Sequence, residues 1–275
     1  MSASAVDSGT TLVALDGLKR ANFDAAKASE RLATGLRINR ASDDPAGAGR
    51  AAVLKSEINS YEQVKRNVNT ALTDISKVND GLSQISDYLV EMRTLAVAAA
   101  GESDSTIRAN YNTQFQALIS GINEIAGTVE FGDSAVLSAA GTQDVQVGIN
   151  AADKKTLTFT AVTSTALGVN SLALATSANA TSAVAAVVTA ISTVASRTAT
   201  IGGYESSLQN YSDLADSAVL SKSTQYGDIM SADMALEASN LAAAKIRQDA
   251  ATAVLAQANS MNKTIADYLV NGSIG

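Results

Sequence analysis

From Glu57 to Ala100 the apolar positions Ile58, Tyr61, Val64, Val68, Leu72, Ile75, Val78, Leu82, Ile85, Leu89, Met92, Ala96 and Ala99 recur at steps of three and four. Polar residues fill the gaps, so the pattern predicts one long helix with a heptad-like stripe. Roughly 43 residues at about 1.5 Å each extend about 65 Å, more than a compact domain can use. Gly101 ends this helix, and Glu102 to Ser105 caps a second over Thr106 to about Gly127, whose apolar face carries Ile107, Tyr111, Phe115, Leu118, Ile122 and Ile125. Between Val129 and about Thr163 the period falls to two, in DVQVGI and KTLTFTAV joined by NAADKK. That is a hairpin pattern. The following TSTALGVNSLALATSANATS is small, polar and low in complexity, which predicts an exposed connection. Helical spacing resumes at Val184, Val187, Ile191, Val194, Ile201, Tyr204, Leu208, Tyr211, Leu214 and Ala218, with a weak break near Tyr226 and Gly227. Gly202 and Gly203 sit inside this stripe and predict close packing or a bend.

The two ends look alike. Residues 1–40 carry Leu12, Leu15, Leu18, Ala25, Leu32 and Leu36, and the last helix carries Met234, Leu241, Val254, Leu255, Ala258, Met261, Ile265 and Leu269. Neither helix is stable alone, because an isolated helix is marginal in water and draws its stability from a packed apolar face. The pattern therefore predicts a mainly α fold: a long coiled-coil-like bundle formed by both chain ends, with a small β-hairpin region. Its segments are 1–40, a joint at 41–56, rod helices at 57–128, the hairpin at 129–163, the exposed connection at 164–183, a rod helix at 184–226 and a terminal helix at 227–275.

The joint contains RLATGLRINRASDDPAGAG, with the chain's single proline. Gly35 breaks the first helix, and Leu36, Arg37, Ile38 and Asn39 form an extended or irregular link. Asp44 then supplies an N-cap and Pro45 the first helical position, where a missing N–H is harmless. An ordinary capped helix start accounts for Asp43, Asp44 and Pro45. It leaves unexplained the cluster of Arg31, Arg37, Arg40 and Arg50, which suits a joint that locks its angle against neighbours.

Composition narrows the function. Hydrophobic residues make up 46% of the 275, but aromatics only 4%, so helices approach closely and bury little area each. Net charge is −7 without any basic run, which excludes a nucleic-acid surface. Residues 1–56 hold eight Lys and Arg against six Asp and Glu, and residues 200–275 hold four against eight, so the ends have opposite signs. Cysteine and histidine are absent, which removes disulfides, thiolate metal sites and the commonest general base. PAGAGRAA lacks the preceding strand and phosphate-binding lysine of a nucleotide loop. Asp43 and Asp44 lack the further carboxylates a cation needs. These features predict no catalysis, cofactor or metal. The opening residues lack a basic start and an unbroken apolar run, which predicts neither a signal peptide nor a membrane span. Asn179, Asn262 and Asn271 match the N-glycosylation pattern, which recurs by chance in a Ser/Thr-rich chain, and residues 163–182 offer O-glycan acceptors.

The stretches RLATGLRINRASDDPAGAG, EMRTLAVAAA (91–100, with Arg93 and Leu95), VQVGINAADKKTLTF (145–159) and LEASNLAAAKIRQDAATAVLAQANSM (236–261) resemble bacterial flagellins and cover both ends. The resemblance implies a filament subunit whose terminal helices pair as an inner tube, with the central helices and hairpin as the surrounding layer. It is similar to a minimal flagellin with those two layers alone. It further implies self-assembly, alone or with other flagellins, into an extracellular propeller for motility. Export through the flagellar type III channel, a chaperone on the C-terminal helix, and filament cap and hook-junction partners follow from it too. The residues it assigns to assembly and the joint are Leu15, Leu18, Leu32, Leu36, Arg37, Ile38, Arg40, Asp43, Asp44, Pro45, Arg93, Leu95, Leu241, Val254, Leu255, Ala258, Met261 and Leu269. Flagellins sensed by the innate receptor carry an arginine and a glutamate where this chain has Glu91 and Gln114. A hook–filament junction protein of the same superfamily is the alternative, and a helical-bundle enzyme or binding protein a third, for which no convergent titratable groups are seen.

Overall fold

A computed structural model describes the backbone of residues 2–271 and the side chains of residues 11–264. Five helices dominate: α1 (Ser2–Thr34), α2 (Pro45–Gly101), α3 (Ser105–Thr128), α4 (Ser177–Met230) and α5 (Met234–Asn271). Four short strands lie between α3 and α4: β1 (Glu130–Phe131), β2 (Ser134–Ala135), β3 (Gly141–Gln146) and β4 (Lys154–Phe159). The chain divides into one unit of residues 1–56 and 222–275 and a second of residues 57–221.

In the 57–221 unit the predicted stripe of α2 is the core. Val64, Val68, Ile75, Val78, Leu82, Ile85, Leu89, Met92, Ala96 and Ala99 are buried with Phe115, Ile119 and Ile122 of α3 and Val187, Val194, Ile201 and Leu208 of α4. Asp104 caps α3 by accepting from the backbone N–H groups of Thr106 (2.7 Å) and Ile107 (3.4 Å), and these bonds hold its carboxyl below the ordinary range. The hairpin is antiparallel, with Val145 opposite Lys155 and Leu157 opposite Gln143. Val145, Leu157 and Phe159 point into the core, and Phe159 meets Phe131 at 5.5 Å between ring centroids.

Several expectations need correction. The connection after the hairpin is packed, with Val162, Leu167, Val169 and Leu174 buried. Side chains on one face of α3 satisfy its backbone: Asn112 Oδ1 accepts from the Leu174 N–H (2.8 Å), Asn123 Oδ1 accepts from the Ser164 N–H (3.0 Å), and Gln116 donates to the Leu172 carbonyl (2.7 Å). Ser164, inside the stretch offered for O-glycans, is buried as well. On α4, Leu214 is exposed and Ala215 takes the core position. Gly202 and Gly203 face open space within an unbroken helix. The break expected near Tyr226 falls after Met230 instead. One window in α4 is long and apolar enough, by length and composition alone, to cross a membrane, and the same helix supplies Val187, Val194, Ile201 and Leu208 to the core.

In the other unit α2 already begins at Pro45, so the joint is shorter than 41–56: helix is missing over residues 35–44 alone. α1 packs along α5 in antiparallel fashion, as the ion pairs Arg31–Glu237 and Asp24–Arg247 register. The residues turned inward on α1 are Thr11, Ala14, Leu18, Ala21, Ala25, Ala28 and Leu32, and those on α5 are Glu237, Leu241, Ala244, Gln248, Ala251, Leu255 and Ala258. Both series step by three and four, so the seam is a heptad pattern built largely of alanine.

Candidate assembly surface

A seam built largely of alanine leaves many of the larger apolar side chains of α1 and α5 on their outer faces. Phe23 is 67% exposed, Val13 74% and Ile246 69%, whereas Ala21 is 1% exposed and Ala244 fully buried. Leu12, Leu15, Met234, Leu236, Val254 and Met261 are exposed too, which corrects the expectation that Leu12, Leu15, Met234, Val254 and Met261 pair the two ends. Leu18, Leu32, Leu241 and Leu255 are half-buried on the seam and Ala258 is buried there. Ile265 and Leu269 lie outside the described side chains. Leu12, Leu15 and Phe23 are spaced by three and eight residues, and Leu236, Val254 and Met261 by eighteen and seven, so each set shares one helix face. Apolar faces of this kind, lying beside a filled seam, are candidates for an interaction surface.

The joint is held by its own hydrogen bonds. Gly35 takes a left-handed φ of +70° to close α1, its N–H donating to the Arg31 carbonyl at 2.8 Å. Leu36 pairs antiparallel with Ser231; the Arg37 N–H donates to the Met230 carbonyl (2.7 Å) and the Ala232 N–H to the Gly35 carbonyl (2.9 Å). The exposed Arg37 guanidinium donates to the Ile229 carbonyl at 2.8 Å, so a cation meets the carbonyl end of α4. Ile38 is buried and Leu36 half-buried. Asp43 accepts from Lys27 Nζ (3.0 Å) and from the N–H groups of Arg40 (3.1 Å) and Asn39 (3.2 Å), with the Lys27 bond leading, and its carboxyl is held below the usual value. Arg40 is exposed and reaches Glu30 at 3.2 Å. Asp44 caps α2 through the Gly47 N–H (2.9 Å), with Pro45 exposed at the first helical position. A Cβ at Gly47 would stand 2.5 Å from Asp44 Oδ2 and 2.7 Å from Ile38 Cδ1, so a larger residue there displaces the capping carboxylate or the Ile38 side chain. Arg31, close to this joint in sequence, reaches the buried Glu237 at 2.7 Å. Asp233 caps α5 by accepting from the N–H groups of Ala235 and Leu236.

In the 57–221 unit Arg93 is exposed and Leu95 half-buried, with Val90 and Val97 exposed on the same helix. Glu91 and Gln114 are exposed. Asp24, Lys27, Arg31, Glu237 and Arg247 line a cavity of about 230 Å³ between α1 and α5, where Arg31 pairs with Glu237 and Arg247 with Asp24, so these paired charges are matched across the seam. The seam positions Ala21, Ala244 and Ala258 carry a weak signal in an apolar pattern that ranks leucine above alanine.

Residues 8–142 match the family description "Bacterial flagellin N-terminal helical region", and residues 184–269 match "Bacterial flagellin C-terminal helical region". The chain belongs to the flagellin family. A flagellin of Halalkalibacterium halodurans is 33% identical over 143 residues, which cover 51% of this chain and 53% of that one. A flagellin of Clostridium tyrobutyricum is 30% identical over 168 residues, covering 57% and 45%. The matched stretch of this flagellin-family chain thus spans about half the length of these relatives. A solved structure described as a flagellar hook-associated protein, from Vibrio parahaemolyticus, aligns at a TM-score of 0.57 and 15% identity over 69% of this chain and all of that one, a likeness of fold alone.

Proposed function

We propose that this chain is a structural, non-catalytic subunit of the bacterial flagellar filament, which assembles from copies of itself through its terminal helices. The observation that carries this reading is the alanine seam: α1 and α5 satisfy each other with small residues and hold Phe23, Leu236, Ile246, Val254 and Met261 outward. Such faces are costly in water and gain free energy when a second copy covers them, at about 25 cal/mol for each Å² of apolar surface removed. Membership of the flagellin family supports polymerisation, and a filament outside the cell as the place of action. Export without a cleaved signal, a chaperone on α5, and contacts with cap and hook-junction proteins belong to this reading on the family likeness. So do an inner-tube role for α1 and α5 and a surrounding layer for residues 57–221.

The reading is tested by adding purified chain to short filament fragments and following growth by sedimentation and electron microscopy. Filaments that lengthen above a threshold concentration are expected, and a chain lacking residues 1–40 should not grow. Continued growth of that truncated chain at the full-length threshold would overturn the reading.

A further inference from the structure

Within residues 57–221, β4 and the loop after it meet α2 and α4 around a cavity of about 190 Å³. Its floor is apolar, from the buried side chains of Leu82, Phe159 and Ile201; at its mouth stand Thr160, Thr200 and Arg197. Arg197 is the sole charged residue lining it. The side chain is half-buried and its Nε is sealed from solvent without a hydrogen-bond partner. Among the described residues the guanidinium forms no ion pair either. Arg31 offers a contrast. Its Nε is also sealed and unpaired, yet the same guanidinium meets Glu237 at 2.7 Å.

A buried N–H without an acceptor is rare in native proteins, and a partly desolvated cation without a counter-charge is costlier still. The planar fork of arginine matches a carboxylate with two parallel hydrogen bonds. The chain holds 27 acidic against 20 basic residues, so its copies present a surplus of carboxylates to one another.

We propose that Arg197 receives a carboxylate side chain from a second copy of this chain, completing a site that one copy leaves half-made. The proposal rests on the filament reading and adds to it a specific contact of the 57–221 unit. Arg197 lies in step with the apolar series Val194, Ile201 and Leu208, where a structural role would call for an apolar residue.

Full-length Arg197→Met and Arg197→Lys chains test it, each compared with the wild type for threshold concentration of seeded growth and for thermal melting of the monomer. The Met variant should melt at or above the wild-type temperature and need about tenfold more protein to grow, as a truncated interfacial charge pair does. The Lys variant, which keeps the charge without the fork, should fall between. Rising salt should narrow the gap between wild type and Met variant. Growth of the Met variant within about twofold of wild type, well under the tenfold that 1.4 kcal/mol confers, would overturn the proposal. So would a melting loss that parallels the assembly loss, which would make Arg197 structural. Glutarate that raises the melting temperature of the wild-type monomer but not of the Met variant would assign the site to a free anion and likewise overturn it. Failure of the wild type to grow from seeds at all would defeat the filament reading itself, and the proposal with it.

Discussion

Replacing Phe23 by alanine separates the two roles assigned to the terminal helices. The ring is 67% exposed on α1, away from the seam, so its loss removes little from the folded subunit. Exposed substitutions of this kind shift stability by no more than about 0.5 kcal/mol. In a polymer that covers the ring the balance changes. Full burial of a phenylalanine side chain contributes about 1.5–3 kcal/mol. Scaled by the fraction still open to solvent, the interface loses about 1–2 kcal/mol per subunit, which raises the threshold concentration about five- to thirtyfold. Sedimentation of seeded filaments measures the threshold, and circular dichroism measures monomer melting. The control is Ala244→Leu on the seam: Ala244 is fully buried, so added volume should destabilise the paired ends by about 1–3 kcal/mol. If Phe23→Ala lowered monomer melting as much as Ala244→Leu, or left the threshold unchanged, the distinction between seam and outer face would be wrong.

Two further outcomes follow from the same structure. Leu174 is fully buried in a segment whose composition reads as a loose connection, so Leu174→Ala should destabilise the 57–221 unit by about 2–5 kcal/mol, read from its chemical denaturation midpoint. Asp43 has its carboxyl lowered in the fold by Lys27 and by backbone N–H groups, so the stability it adds is present above the ordinary value of 3.8 and is lost as pH falls through the lowered folded value. Asp43→Asn should therefore flatten the acid limb of the melting-versus-pH curve for the terminal unit, and an unchanged acid limb would count against the Lys27–Asp43 contact.

What the sequence made legible were features written in one local signal. The α2 stripe is almost strictly periodic, and Asp44 before Pro45 can hardly be anything but a helix start. Gly35 likewise ends α1 where its pattern stops. The seam was harder to read because two apolar faces compete on each terminal helix. Hydrophobicity favours Leu12, Leu15 and Val254 for the intramolecular face. Close approach of two helices favours Ala21, Ala28 and Ala244 instead, since short side chains bring the axes together and leave large ones for other partners. The packed segment after the hairpin was hidden for another reason. Its backbone is satisfied by Asn112, Gln116 and Asn123, which in isolation read as the solvated side of α3. Arg197 gave a faint signal of its own, a charge placed in register with buried valines, isoleucines and leucines.

The central claim is that the outer faces of α1 and α5 are open in one subunit and covered in the polymer. Because the chain has no cysteine, a single Val254→Cys substitution places one thiol on the α5 face, where the native side chain is 53% exposed. The thiol should react with a maleimide rapidly in the monomer and resist it in filaments grown from seeds. Equal reactivity in both states would contradict the account.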